Sequence, residues 1–80
     1  MTYRLSVYAS RGTELIFDQD YASLKVSFGA FMLLAKQRIS DLDVCVILSR
    51  SHDDHSGTTL ACKSTDASHI EIGPAYFRLT

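Results

Sequence analysis

The four consecutive residues His52-Asp53-Asp54-His55 are the part of this 80-residue chain best equipped for chemistry. Imidazole and carboxylate are the donor types that hold Zn²⁺ or Mn²⁺. His52, Asp54 and His55 are the candidate ligands, with Asp18 and Asp20 as further carboxylates if the chain folds back toward them. The same residue types are also ordinary solvated turn residues, and a short hairpin tip preorganises a metal site poorly. The sequence reading therefore expects a polar tip there, with no metal and no other cofactor.

Nucleophilic catalysis needs a Ser or Cys next to a His that an acid orients. Cys45 and Cys62 have neither a glycine-rich turn nor a helix start beside them to lower their pKa. G-x-S-x-G, a phosphate-cradling glycine loop and a dinucleotide fingerprint are all missing from the sequence. His69 has no Cys or carboxylate partner at a recognisable spacing. The expectation is a protein that is not an enzyme and has no catalytic residues.

Six aspartates fall in pairs, Asp18/Asp20, Asp41/Asp43 and Asp53/Asp54. The pattern assigns all three to turns at the two ends of a helix, where solvation explains them. A sharper reading joins Asp18, Asp20, Asp53 and Asp54 into one acidic edge. Such an edge would steer the protein toward a basic surface, for example the phosphate-binding face of a nucleic-acid enzyme. Net charge is -1 and the pI is near 6.2, with Lys and Arg scattered singly. Direct nucleic-acid binding lacks its electrostatic footprint, so the expected partner is a protein.

These residues need elements to position them. Residues 3 to 9 alternate, with Tyr3, Leu5, Val7 and Ala9 on one face and Arg4, Ser6 and Tyr8 on the other, as in a half-buried strand. Ser10-Arg11-Gly12-Thr13 is a turn in which Gly12 can take a positive φ, and Glu14 to Phe17 reads as the return strand. Asp18 or Asp20 can cap a helix over about residues 20 to 39, carrying Tyr21, Leu24, Phe28, Phe31 and Ala35 on one stripe. A rival reading has residues 21 to 28 alternating as a strand, with Gly29 opening a shorter helix.

Val44-Cys45-Val46-Ile47-Leu48 is a strand apolar on both sides, as a central strand would be. One of its faces would meet the helix and the other a partner subunit, giving a homodimer through the second hairpin. Thr58 to Lys63 forms the second arm of that hairpin. Symmetry about the Asp53–Asp54 bond would set Cys45 opposite Cys62, Ile47 opposite Leu60 and Ser49 opposite Thr58. The two cysteines are then expected to be reduced, small and buried. Ile70 and Ile72 mark a short strand, Gly73-Pro74 interrupts it, and Ala75 to Leu79 extends again as an edge strand.

The fold class expected is α+β, an antiparallel sheet of two hairpins plus a C-terminal strand packed on one central helix, in the order β-β-α-β-β-β. With 46% hydrophobic and 21% charged residues, the chain has the composition of a folded protein. Its length suits a single domain over residues 1 to 80. Met1 to Ser6 lack the apolar stretch of a signal peptide or membrane span, so the expected location is the cytoplasm, with no membrane partner.

The hairpin ending in Phe17-Asp18-Gln19-Asp20, the single helix, and the hairpin through Val44 to Leu48 and Thr59-Leu60-Ala61-Cys62 together resemble small phage-encoded type I anti-CRISPR proteins. The resemblance spans most of the chain and is architectural, because that group shares no diagnostic motif. It implies a stand-alone inhibitor, encoded by a phage or mobile element, that occludes a nucleic-acid or nuclease-recruitment surface of a host CRISPR–Cas complex. Its partner would be an effector subunit. Two other readings remain open from sequence: a small regulatory module such as an antitoxin, and a metal-binding domain built on His52 to His55.

Overall fold

A computed structural model describes residues 2–51, 57–65 and 69–79. The chain is an α+β fold, a five-stranded antiparallel sheet with helices packed on one face. In chain order the elements are β1 (Thr2–Ala9), β2 (Glu14–Tyr21), α1 (Leu24–Gln37), β3 (Cys45–Ser51), β4 (Gly57–Lys63), β5 (Glu71–Ile72) and α2 (Pro74–Leu79). The strands lie side by side as β2-β1-β3-β4-β5.

The alternation of β1 places Leu5 and Val7 in the core, where Leu5 faces Leu48 and Val7 faces Val46 across β3. The apolar run of β3 is central, flanked by β1 and β4. Phe31 and Ala35 of α1 lie over these residues, fully buried, and Leu60 and Ala61 of β4 complete the same cluster.

Between β1 and β2 the chain turns through a short 3-10 segment, Ser10–Gly12, in which φ is 52°, 58° and 91° at successive residues. Gly12 takes the largest of these at no steric cost. The neighbouring Arg11 N–H donates to the Asp43 carbonyl at 2.9 Å, which ties this turn to the α1–β3 connection.

Four expectations need correcting. First, α1 begins later than residue 20. The return strand runs on through Asp18, Gln19 and Asp20 to Tyr21, so neither aspartate caps the helix or sits in a turn. The cap is Ser23, whose hydroxyl oxygen accepts the Val26 N–H at 3.2 Å. The rival strand over residues 21 to 28 also fails, because Gly29 lies inside the helix.

Second, the β3–β4 hairpin is not symmetric about Asp53–Asp54. A register shift between Leu48 and Ser49 sets Ile47 opposite Cys62, Leu48 opposite Ala61 and Ser49 opposite Thr59. Cys45 therefore has no direct pairing with Cys62. The two cysteines are free and half-buried on the face of the sheet away from the helices.

Third, Ala75 to Leu79 is helical, not an edge strand. Pro74 fits the first position of a helix, where its missing N–H has no partner to lose. The turn that follows packs Ala75, Tyr76 and Leu79 against the core. Tyr76 stacks on Phe28 of α1 with ring centroids 4.4 Å apart. The sheet thus has both helices on one side, not one central helix alone.

Fourth, His69, expected to be solvated or hydrogen-bonded, is both, and the carboxylate partner that its spacing did not reveal is Glu71. The His69 Nε2 lies 3.3 Å from Glu71 Oε1, two residues on and in solvent.

Candidate functional site

β2 forms one margin of the sheet, and every residue from Glu14 to Asp20 is exposed. Its ladder with β1 pairs Phe17 with Val7 and Leu15 with Tyr8, which leaves Ile16 as an extra residue in a bulge. Beyond the bulge, Phe17 to Tyr21 pair in regular register with Val7 to Tyr3.

Period-2 geometry divides this stretch between two faces. Phe17, Gln19 and Tyr21 share the helix side with Val7, Leu5 and Tyr3, while Asp18 and Asp20 share the open side with Ser6 and Arg4. The structure therefore brings together two of the four acidic residues that the sequence singled out, through strand alternation and not through a turn.

Arg4 binds both aspartates. Its Nε donates to Asp20 Oδ1 at 2.9 Å, its Nη2 reaches Asp20 Oδ2 at 3.4 Å, and Asp18 Oδ1 lies 3.4 Å from Nε. The hydrogen bond from Arg4 holds the Asp20 carboxyl below the usual carboxylate range, and the two carboxylates raise the guanidinium in return. All three groups are in water, so the cluster adds little to stability. Two carboxylates against one guanidinium leave this face of the edge negative.

Leu15, Ile16 and Phe17 are 49%, 51% and 40% exposed, an uncommon run of three large apolar residues in solvent. Helix α1 touches β2 but lies mainly over β1 and β3. Helical spacing puts Val26, Ala30 and Leu33 on the flank opposite the one where Phe28 meets Tyr76, and Val26 and Leu33 are exposed. Lys36, three residues after Leu33, borders this flank one turn on.

The third acidic pair has a structural task. Asp41 Oδ1 accepts the Asp43 N–H at 3.2 Å, and the Asp43 carboxylate lies 3.7 Å from Arg11 Nη1. Lys63, at the end of β4, is completely buried. Its ammonium donates to the carbonyls of Asp41 and of Val44, the latter at 2.7 Å, and so clamps the α1–β3 connection from beneath. Reading Lys and Arg only as singly scattered charges missed this residue. It also missed Arg50 of β3, whose Nε is buried with no hydrogen-bond partner among the described residues. In both, a long basic side chain follows an apolar run, which is the only signal the sequence offers.

His52, Asp53, Asp54 and His55 lie outside the described residues. Ser51 and Gly57, which flank them, pair with each other, and Ser51 faces Thr2 at the end of the sheet where β2 finishes. Among the described residues no three His, Cys, Asp or Glu side chains are grouped to hold a metal ion. Burial, together with the nearby Cys62, pushes the Cys45 thiol above its usual range, away from the reactive thiolate. A shallow groove of about 380 Å³ lies along β4 and β5, lined by Thr59, Cys62, Glu71 and Pro74 among others. It contains Cys62 but none of the aspartates or histidines singled out from sequence.

No protein-family model, curated protein or solved structure matches the chain. Among the described residues no helix is long and apolar enough to cross a membrane.

Proposed function

We propose that this chain is a non-enzymatic binding protein whose ligand is a basic protein surface. The supporting observation is the β2 margin, an exposed strand that carries Asp18 and Asp20 on one face beside three exposed apolar residues. Negative charge over such a margin draws a basic partner at long range, and apolar contacts hold it once the encounter has been made.

The finer reading rests on the architectural resemblance described above. In it the chain is an inhibitor of a host CRISPR–Cas complex, made by a phage or mobile element, that occludes the surface on which nucleic acid or a nuclease is received. The order hairpin, helix, hairpin holds through Lys63 and supports this reading. The test is a pull-down with the full chain against purified type I effector subunits, with and without competing DNA. Capture that DNA abolishes is the expected result. Recovery of no effector subunit at micromolar concentration would overturn the inhibitor reading.

A further inference from the structure

We infer that β2 receives an extended segment of the partner as a sixth strand, and that this segment alternates basic and apolar residues. The inference deepens the reading above, since it names how a basic surface would be held. It starts from the backbone. β2 is eight residues long and, among the described residues, has a neighbouring strand on one side only. An edge of this kind is a template for main-chain pairing, the mode in which an extended peptide extends a sheet.

The side chains then select the occupant. A second copy of this chain is a poor one. Antiparallel self-pairing of the regular stretch would place its two-fold axis on Asp18, Gln19 or Asp20. Those axes set Asp18 opposite Asp18, Asp18 opposite Asp20 and Asp20 opposite Asp20 respectively. Like charges directly opposite each other destabilise a ladder, and a single Arg4 serves both aspartates of each copy.

A heterologous strand with Lys or Arg at two alternate positions meets Asp18 and Asp20 on the open side of the sheet. Its intervening residues then fall on the helix side, opposite Phe17 and Tyr21. Apolar residues suit those positions. Phe17 is 40% exposed and Tyr21 half-buried on that side, so apolar partner residues there cover surface that is otherwise in water. The bulge at Ile16 ends the regular template, so the incoming segment pairs over Phe17 to Tyr21.

Two synthetic peptides of identical composition test this. One is alternating, Lys-Val-Arg-Val-Lys-Val, and the other is its block isomer, Lys-Arg-Lys-Val-Val-Val. Each is titrated into the full ¹⁵N-labelled chain, with amide exchange followed by NMR. The alternating peptide should bind about tenfold more tightly and slow exchange at amides between Phe17 and Tyr21. Asp18→Lys should lower its affinity about tenfold and leave the thermal midpoint unchanged, since Asp18 is exposed. Equal binding of the two peptides, protection elsewhere in the sheet, or no binding at millimolar concentration would each overturn strand addition. The outcome is separable from that of the pull-down. Capture of an effector without protection of β2 removes strand addition alone, and protection of β2 without capture removes the inhibitor reading alone.

Discussion

β2 and β4 both come after an inner strand and both face away from the centre of the sheet, yet they are finished in different ways. The outer side of β4 is closed by the chain itself. β5 pairs Ile72 with Ala61 and Glu71 with Cys62, the Gly73 N–H donates to the Leu60 carbonyl at 2.8 Å, and α2 then lies against β4. Among the described residues no strand or helix covers the outer side of β2. The residue types follow this difference. Both strands carry a bulge, at Leu60 and at Ile16, but β4 carries Leu60, Ala61 and Lys63, all buried, whereas β2 carries exposed acidic side chains. Bulges and charges are the devices that keep an exposed edge from pairing indiscriminately. One margin is finished by packing and the other by selectivity.

Substitutions on the two strands should therefore differ most in stability. Leu60→Ala removes a fully buried side chain beneath the closed margin and should cost about 2–5 kcal/mol in urea unfolding. Tyr76→Ala should cost about 1–2 kcal/mol by removing the stack on Phe28 that seats α2. It should also speed amide exchange in β4, making the two margins more alike. An unchanged exchange rate there would show that α2 does not close that edge.

On the bare side, Phe17→Ser should shift stability by no more than about 0.5 kcal/mol while weakening any partner that needs the strand. A larger loss would mean that β2 is packed more like β4 than its exposure indicates.

The smallest effect expected is a matter of pH. Arg4 lowers the Asp20 carboxyl, so whatever stability the pair contributes is present above the ordinary carboxylate pKa. It is lost as acid brings the solution down through the lowered value. In Asp20→Asn that acid-side slope should flatten slightly, which a comparison of urea midpoints across the acidic range would detect. A slope identical to that of the parent chain would remove Asp20 as its source.

The difference between the margins also explains which parts of the fold were legible in the sequence. The alternation of β1 and the doubly apolar run of β3 gave their positions directly, because a strand with its period buried on one face or both carries its environment in its pattern. The far half of β2 did not. Asp is a poor strand residue and a good helix cap, so Asp18 and Asp20 read locally as the start of α1. The partner that draws them into the ladder, Arg4, is 16 residues away from Asp20.

At the C-terminus the five residues after Pro74 are too few to show a period, and only docking onto Phe28 decides their conformation. The shift at Leu48/Ser49 is a bulge with no glycine to announce it. Asp18 and Asp20 share a face all the same, because spacing of two serves a strand face as well as a loop. That Leu15 to Phe17 stand in solvent was illegible, since it depends on which strand of the sheet ends outermost.

The buried ammonium of Lys63 makes the chain its own reporter of opening. Lys25 and Lys36 are exposed on α1, whereas Lys63 is sealed beneath the α1–β3 connection with its protons committed to two carbonyls. An amine-directed reagent should modify the first two within its ordinary reaction time. It should reach the third only when the end of β4 parts from that loop. The lag of Lys63 behind its two companions, read by mass spectrometry, then times how often the closed side of the sheet comes apart.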